Sequence, residues 1–362
     1  MLQSDAIQGA QTPSMNHTLS HIEQVARLTH AKDRDTTDAV LVEVLFSLLQ
    51  PDAVTLVEVV PSADGRRSVV RGHQNASLVA PVSTPPWTAL EDCPLLAEEP
   101  WRAHVADILQ AHVDATDAGA ERLVVPITTD TETLLLLEVV APSPLRADAC
   151  SVVEGFAKIY KNFLNLLDYS ERDTLTSLLN RKSFDETFFK ATQVRVPVYT
   201  GVSPGDKRVA SMAHGYWLGV IDIDHFKRVN DGFGHLIGDE VLLLVARIMR
   251  STFRHEDRLY RFGGEEFVVL LRAQDEAAAH AVFERFREHI EAYRFPQVGT
   301  ITVSIGHTRV LRNDTPSSAF ERADKVVYMA KSQGRNQVIS YERQVPPDAD
   351  SGTARHNVVE LF

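Results

Sequence analysis

Acidic residues stand at two points of the chain where short apolar runs end or begin. The run Trp217–Ile221 leads directly into Asp222, and Asp224 follows two residues later. The segment Gly263-Gly264-Glu265-Glu266-Phe267 lies about forty residues downstream, between two further apolar runs. A Gly-Gly pair in this setting predicts a tight β-hairpin that carries two carboxylates at its tip. Because carboxylates on a rigid turn are good ligands for Mg²⁺, we expect both clusters to form one magnesium site.

Each acidic cluster also has a plain structural interpretation. A Gly-Gly turn followed by charged residues is often only a solvated hairpin. Asp222 can equally cap the turn that follows its strand. Alternation along the strand places Asp222 and Asp224 on the same side, with Ile223 opposite. Such an acidic pair at the end of a buried strand is unfavourable unless it is solvated, paired or bound to a metal.

A glycine-rich segment lies between the two acidic clusters. The pattern from Asn230 to Gly238 predicts a turn that leads into a helix, which apolar residues continue to Met249. Asn230 and Asp239 supply the donor and acceptor groups that a purine edge requires. Asp239 also suits a helix start, where an N-terminal cap or negative charge is favoured.

Six motifs occur in one order along the C-terminal half of the chain. They are Asp173–Arg181, Asp222–Lys227, Asn230-Asp231, Gly234–Asp239, Gly263–Phe267 and Ala323–Asn336. Together they make residues 170–342 resemble the GGDEF family of diguanylate cyclases. The resemblance implies a palm-type domain in which helices flank a central, mainly antiparallel sheet. It also implies an enzyme that condenses two GTP molecules into cyclic di-GMP and releases pyrophosphate.

The resemblance assigns catalytic and metal-binding roles to residues of this sequence. Asp222, the carbonyl of Ile223 and Glu265, aided by Glu266, would hold Mg²⁺, with Mn²⁺ as the alternative ion. The metal would assist attack of a 3′-hydroxyl on an α-phosphate, and Glu265 would accept the proton. Lys227 would place a positive charge beside the reacting phosphate, although an exposed helix lysine is its ordinary interpretation.

The same resemblance implies a substrate site. Asn230 and Asp239 would read the guanine base, while Lys331 and Arg335 would hold the triphosphate. Lys331 and Arg335 are four residues apart and share one helix face if the helix extends that far. The expected substrate-binding set is Asn230, His235, Asp239, Phe226, Lys331 and Arg335.

An Arg-x-x-Asp sequence, Arg254 to Asp257, precedes the hairpin. In the resembled family a motif at this offset is the product-binding inhibitory site. A guanidinium group can stack on guanine and bond to it, while the carboxylate accepts hydrogen bonds. The alternative is a helical i,i+3 ion pair of little value.

Two features depart from the family pattern. Ser177 stands where the family usually has glycine. The segment from Val194 to Gly215 is longer and more polar than expected and contains two prolines and several glycines. It predicts a loop or a projecting hairpin, for which the sequence suggests no function.

The N-terminal part alternates helical and strand-like patterns, which is typical of an α/β sensor domain. It most resembles a GAF domain, with PAS as the alternative. The helical patterns cover His21–Pro51 and Trp101–Val113. The strand-like segments are Ala53–Val60, Ser68–Gly72, Arg122–Ile127 and Thr133–Val140.

A heptad pattern connects the two parts. Its members are spaced 3, 4, 3, 4 and 3 residues apart and predict a parallel helix pair that joins two copies. Because the pattern spans less than two heptads, packing of this helix on its own domain remains open. The seam comprises Val153, Phe156, Tyr160, Phe163, Leu167 and Ser170.

Composition narrows the biological setting. The 362 residues carry a formal net charge of −12, which disfavours nucleic acid and anionic membranes as partners. No apolar run reaches the roughly 18 residues of a membrane span, and no signal peptide is evident. Cys93 and Cys150 give no disulfide framework, and the N-terminal histidines have no ligand spacing. A cytoplasmic protein is expected.

These patterns give an α/β (α+β) fold of two domains. The expected division is a disordered tail 1–18, a GAF-like sensor 19–148, a coiled-coil helix 149–172, a GGDEF domain 173–343 and a disordered tail 344–362. The expected function is a homodimeric diguanylate cyclase controlled by an unidentified small molecule or protein at the sensor and by product. The alternative is a catalytically weak protein that acts as a cyclic di-GMP-binding effector or scaffold.

Overall fold

The computed structural model describes residues 23–31, 33–85, 88–142, 144–193 and 215–344. The chain divides into two compact units between Ser170 and Glu171. The predicted tails, apart from Gln344, and nearly all of the 194–215 segment lie outside the described residues. No helix within the described ranges is long and apolar enough to cross a lipid bilayer.

The first unit is a five-stranded antiparallel sheet that carries helices on both faces. Its strand order is β2-β1-β5-β4-β3. Residues 23–30 are helical and precede the numbered elements. These are α1 (Arg34–Leu49), β1 (Ala53–Ser62), β2 (Gly65–Asn75), α2 (Pro100–Ile108), β3 (His112–Ala115), β4 (Glu121–Thr128), β5 (Leu134–Ala141) and α3 (Ala147–Glu171).

Both faces of this sheet are covered, which explains the nearly continuous apolar runs of its central strands. Val54 and Leu56 of β1 share a core with α1 and α3. Val59 of β1, on the opposite face, packs in a smaller cluster with Val105 of α2. The four predicted strands are confirmed, whereas the GAF-like identity of the unit stays a prediction.

The helix predicted over Trp101–Val113 is too long. It ends at Ile108 because Leu109 adopts a left-handed conformation with φ 53°. Residues His112–Ala115 instead form the edge strand β3, which pairs with β4. This short strand lacks a run of β-branched or aromatic residues, so its pattern gave no strand signal.

Helix α3 packs along its own unit, which was the alternative that the heptad pattern left open. Val153, Phe156, Tyr160 and Leu167 of the predicted seam are buried in the core shared with α1 and the sheet. The prediction that these side chains join two copies is therefore wrong. They are occupied within the chain because the same 3,4 spacing suits a helix that covers a sheet.

A second stripe of apolar side chains on α3 begins at the edge of that core and becomes exposed toward the end of the helix. Leu166 is 62% exposed and Tyr169 is 76% exposed. Val152 and Ile159, fourteen and seven residues before Leu166, are partly buried at the edge of the core. This stripe, offset by one residue from the predicted seam, also has heptad spacing.

The second unit is a six-stranded sheet in the order β11-β10-β7-β9-β8-β6. Its central strands are antiparallel and its two edge pairs, β10–β11 and β6–β8, are parallel. The expected mainly antiparallel sheet flanked by helices is confirmed. Its elements are β6 (Leu179–Asn180), α4 (Arg181–Gln193), β7 (Gly215–Ile223), α5 (Phe226–Phe233), α6 (His235–Thr252), β8 (Arg258–Gly263), β9 (Glu266–Ala273), α7 (Glu276–Ala292), β10 (Val303–Arg309), α8 (Pro316–Ser332), β11 (Val338–Ser340) and α9 (Tyr341–Gln344).

Two glycines let helices approach this sheet closely. A Cβ atom on Gly219 of β7 would lie 2.2 Å from the ring of Phe283 on α7. A Cβ atom on Gly306 of β10 would lie 2.2 Å from the backbone oxygen of Ala323 on α8. The second contact is backbone and cannot move aside. Helix α8 is thereby held against the sheet.

Candidate active site

Strand β7 brings a carboxylate to the end of the sheet. Its positions from Trp217 to Ile223 are all buried. Asp222 is 5% exposed, and its Oδ2 atom lies 2.7 Å from Nζ of Lys331 on α8. Burial raises the pKa of Asp222 above its ordinary value, although the ion pair with Lys331 opposes the shift. The cap interpretation does not account for this buried ion pair.

The predicted tight hairpin joins β8 to β9 through Gly264 and Glu265. Gly263 and Gly264 have φ angles of 150° and 50°, which glycine adopts readily. Gly263 faces Glu266 across the hairpin, and Asp222 of β7 is the cross-strand partner of Glu266 on its other side. Both glutamates are therefore delivered beside Asp222.

The three carboxylates have more negative charge than their surroundings offset. Burial raises the pKa of Glu265 and of Glu266, and the charge of Asp222 raises both further. Among the described residues, Lys331 is the one cation that acts on all three groups. A divalent cation would offset this excess, and carboxylate and carbonyl oxygens are its preferred ligands. The residues present therefore fit the predicted magnesium site, with the carbonyl of Ile223 at the strand end.

Asp224, the other member of the acidic pair, has a different environment. Its Oδ1 atom accepts a hydrogen bond from Ser304 at 2.7 Å. Its Oδ2 atom accepts from Thr302 at 2.7 Å and from the backbone N–H of Asn336 at 3.0 Å. Asp224 thus bonds both to residues at β10 and to the loop after α8. The sequence could place both aspartates on one side but could not separate their roles.

The glycine-rich segment is more helical than predicted. Residues Phe226–Phe233 form α5, so Asn230 lies on a helix, and the chain breaks only at Gly234 with φ 85°. Gly238 of α6 is buried against Asn230, whose Oδ1 atom would lie 2.0 Å from a Cβ there. Glycine at 238 is therefore required for Asn230 to occupy its position.

The other residues predicted to contact substrate in this region differ in how deeply they are buried. Lys227, His235 and Asp239 are exposed around the Gly234 break. Asp239 is the fifth residue of α6 and does not cap it, because Gly234 is the capping residue. Phe226 is buried in the core and lies against Gly238. Its position assigns it a packing role beneath Asn230, and its contact with substrate stays a prediction.

The two residues predicted to bind the triphosphate do not share a helix face, because the helix does not extend as far as Arg335. Helix α8 ends at Ser332, four residues after Tyr328. Gly334 and Arg335 then take φ angles of 120° and 66°, and the N–H of Arg335 bonds to the carbonyl of Ala330. This left-handed helix end turns Arg335 into a loop that Asn336 fastens to Asp224.

A positioning residue that the sequence did not single out is Arg261 of β8. Its Nη1 atom donates to Asp173 at 2.9 Å, and its Nη2 atom donates to the carbonyl of Gly264 at 2.9 Å. Asp173 also accepts from the N–H of Thr176 in a tight turn. In that turn Ser177 adopts φ 55°, which explains why glycine is usual at its position.

The Arg-x-x-Asp sequence forms a turn, so its interpretation as a helical ion pair is excluded. Helix α6 ends at Thr252, and the N–H of Arg254 bonds to Oδ2 of Asp257 at 2.9 Å. The Arg254 side chain is 69% exposed. Burial, together with the nearby charge of Glu256, raises the pKa of Asp257 to about 7. An exposed guanidinium beside this carboxyl suits the predicted product site, which stays a prediction.

Comparison with known proteins agrees with the resemblance. Residues 206–337 match the family model of the diguanylate cyclase GGDEF domain. Diguanylate cyclase DgcP of Pseudomonas aeruginosa is 48% identical over 124 residues, which cover 33% of this chain and 18% of that protein. Diguanylate cyclase A of Treponema denticola is 35% identical over 198 residues, which cover 54% of this chain and 50% of that protein.

A solved structure is also similar. The GGDEF domain of DgcB from Caulobacter crescentus, in complex with cyclic di-GMP, is 30% identical with a TM-score of 0.41, covering 48% of this chain and 96% of that domain. The chain spans half or less of the two curated relatives named above. The second unit of this chain is a GGDEF domain of the diguanylate cyclase family.

Proposed function

We propose that this protein is a diguanylate cyclase that condenses two GTP molecules into cyclic di-GMP and releases two pyrophosphates. The observation that carries the proposal is the meeting of Asp222, Glu265 and Lys331 at the end of β7. The match of residues 206–337 to the cyclase domain supports the same activity.

The reaction consists of two equivalent transfers. In each one a ribose 3′-oxygen bonds to the α-phosphorus of the other GTP, and the bond from that phosphorus to pyrophosphate breaks. Glu265 accepts the proton of the 3′-hydroxyl. Burial and the charge of Asp222 raise the pKa of Glu265, which brings it nearer to that of an effective base at neutral pH.

Residues of this chain also hold the reactants. Asp222, Glu265, Glu266 and the Ile223 carbonyl would hold Mg²⁺, or Mn²⁺ in its place, which supplies charge neutralisation and lowers the pKa of the attacking hydroxyl. Lys331 is already positioned by Asp222 and adds positive charge at the phosphates.

Groups around the Gly234 break serve the other parts of GTP. Asn230, fixed against Gly238, and the exposed Asp239 present an amide and a carboxylate to the guanine edge, with His235 beside them. Lys227, at the start of α5, faces solvent and contributes charge to the phosphates, as does Arg335.

The direct test is to incubate purified full-length protein with GTP and Mg²⁺ and to separate the nucleotides chromatographically. We expect cyclic di-GMP and pyrophosphate from the wild type and from Glu321→Gln, an exposed α8 control. Glu265→Gln should give no detectable product. Equal turnover by Glu265→Gln would refute the assigned role. No product from the wild type, with tight binding of cyclic di-GMP, would support the effector alternative.

Two copies must cooperate, because each GGDEF domain of the proposed enzyme holds one GTP. The exposed α3 stripe that contains Leu166 and Tyr169 offers an apolar surface for a second copy. Light scattering should show a dimer for the wild type and a monomer for Leu166→Glu. Lys158→Glu, an exposed charge change on the same helix, is the control and should remain dimeric. An active, monomeric wild type would contradict this arrangement.

Product inhibition through Arg254 and Asp257 completes the proposed function. The exposed guanidinium of Arg254 is available to stack on a guanine of cyclic di-GMP. Arg254→Ala should retain the initial rate and lose inhibition by added product. Unchanged inhibition in that variant would rule this site out.

A further inference from the structure

A cluster of possible nitrogen and oxygen metal ligands lies between α7 and β10 of the second unit, away from the acidic end of β7. Glu276 and His280 are four residues apart on α7, and His307 projects from β10. One ligand atom from each lies within 4.8 Å of the others. His307 pairs with Gly219, four residues before Ile223 on β7, so roughly 13 Å of strand separates it from the acidic end.

The two imidazoles are already spaced as neighbouring metal ligands. Nδ1 of His280 lies 3.1 Å from Nε2 of His307. Zinc–nitrogen bonds of about 2.0–2.1 Å at tetrahedral angles place two ligand nitrogens about 3.3 Å apart. Oε1 of Glu276 is 4.0 Å from the same Nε2 atom. A shift of roughly 1.5 Å by the glutamate, toward both imidazoles, would complete a three-ligand set.

The carboxylate of Glu276 has one occupied and one unoccupied oxygen. Oε2 accepts from Arg343 at 2.9 Å. Oε1 is buried without a hydrogen-bond partner and is directed toward His307. A buried acceptor without a donor is costly, and a cation between Oε1 and the imidazoles would remove that cost.

Both histidines are held in the form that binds metals. His307 is fully buried, and burial, aided by His280 and Arg343, lowers its pKa to about 3. Burial also lowers the pKa of His280. Neutral imidazole is the ligating form, so protons compete little for these nitrogens at ordinary pH.

A hydrogen bond between two neutral histidines is the simpler interpretation. It accounts for the 3.1 Å contact between His280 and His307. It leaves Oε1 of Glu276 without a partner, and Nδ1 of His307 lacks one in either tautomer. A metal ion satisfies the carboxylate and adds no further cost at Nδ1, because that atom is equally unpaired without it.

We propose that Glu276, His280 and His307 form a binding site for a first-row transition-metal ion of the Zn²⁺ type, separate from the acidic site. Two imidazoles and one carboxylate are typical ligands for zinc, whereas Mg²⁺ prefers oxygen alone. The fourth position is left for water. Glu276 and His280 are only partly buried, so an ion can enter from solvent. The ion would fasten the start of α7 to β10.

The test uses untagged, chelator-stripped, full-length protein titrated with Co²⁺, whose visible absorption reports low-coordinate nitrogen–oxygen sites. We expect one equivalent to give the band and one equivalent of Zn²⁺ to remove it. His280→Ala, a helix position that is only partly buried, should weaken binding more than about 100-fold. Mutating a residue that only hydrogen-bonds to a metal ligand already lowers metal affinity about 10–100-fold, so removing a direct ligand should cost more. Glu276→Gln should weaken it by a smaller factor.

Two controls separate this site from others. Asp222→Asn removes a ligand of the acidic site and should leave the Co²⁺ band unchanged. His104→Ala disrupts the other close pair of histidine rings, His104 and His112 at 4.8 Å, and should also leave it unchanged. No band in the wild type, or an equal band in His280→Ala, would overturn the proposal. Loss of the band in either control would assign the ion elsewhere and overturn it as well.

Discussion

Asp38 in the first unit and Asp222 in the second are both buried carboxylates whose pKa is raised by burial. Asp38 accepts from Nε of Arg71 at 3.0 Å and from the hydroxyl of Tyr160, and Arg34 also acts on its charge. Asp222 instead shares the single amine of Lys331 with two glutamates. Charge is balanced inside the first unit and left in excess at the end of β7.

The comparison shows that burial alone does not identify a functional carboxylate. A structural carboxylate such as Asp38 is surrounded by donors that the protein itself supplies. A carboxylate that binds a cation keeps unused acceptor capacity and like-charged neighbours. Asp224, two residues from Asp222, resembles the structural kind because protein donors bond to both of its oxygens.

The largest expected effect follows from Asp222→Asn. Removing a metal-binding carboxylate should lower cyclic di-GMP synthesis by at least about 10³-fold, since both charge neutralisation and hydroxyl activation are lost. Thermal unfolding should change little, because one of three repelling carboxylates is neutralised. A rate assay beside a melting curve measures both. If Asp222→Asn instead unfolded readily and kept its specific activity, Asp222 would be a structural carboxylate like Asp38.

Asp38→Ala, in contrast to Asp222→Asn, should mainly lower the stability of the protein. It leaves Arg71 and Arg34 partly uncompensated in the first unit, and breaking such a buried pair costs about 3–5 kcal/mol of unfolding free energy. Denaturant unfolding of the full chain measures the loss. Asp35→Ala is the matched control, because the exposed Asp35 pairs with the same Arg71 at 2.8 Å. That control should cost about 1 kcal/mol or less.

Asp224→Asn tests the division within the acidic pair. One of its three hydrogen bonds should be lost, which costs about 1–3 kcal/mol of unfolding free energy. The loop that carries Arg335 should loosen, so KM for GTP should rise more than kcat falls. Steady-state kinetics and denaturation together check this. Loss of turnover as deep as that of Asp222→Asn, without loss of stability, would place Asp224 among the metal ligands.

Asp257 provides a pH test of a carboxyl that lacks an arginine side-chain bond. Arg254 and Arg272 reach it through backbone N–H groups, and Glu256 adds negative charge. Its folded pKa of about 7 exceeds the ordinary value, so the folded state binds the proton more tightly. Stability should therefore fall as pH rises from about 4 to 7, by about 1–3 kcal/mol.

Asp257→Asn is the matching variant for that pH series. Its unfolding free energy should vary less over the same pH interval, as measured by denaturation at several pH values. The ionised carboxylate is also the form that accepts hydrogen bonds from guanine. Product inhibition in the wild type should accordingly strengthen between pH 6 and 8. Parallel pH profiles of unfolding free energy in the wild type and the variant would show that Asp257 does not cause the pH dependence.

The sequence predicted that the two acidic segments meet, because each segment is defined by a local pattern. The Gly263-Gly264 pair fixes the hairpin, and the buried run of β7 ends at Asp222. Each is a short-range pattern whose geometry depends on few other residues. The order of six motifs then supplied the family, which single motifs could not.

The failures share a physical cause, which is that tertiary contacts choose between equivalent local patterns. Val153 and Val152 both start runs of 3,4 spacing on α3, and only packing decides which run is buried. Arg335 continues a helical spacing that Gly334 interrupts. The roles of Arg261 and Asp224 depend on partners 88 and 112 residues away in sequence, beyond any local pattern.

The bonds of Arg261 have a mechanical consequence. Helix α3 ends at Glu171, and Asp173 follows it after a single intervening residue. Arg261 donates one hydrogen bond to Asp173 and another to the carbonyl of Gly264, one residue before Glu265. The turn at Asp173, which opens the second unit, is therefore joined through one arginine side chain to the backbone of the hairpin that carries Glu265 and Glu266, so a displacement of this turn would displace that hairpin with it.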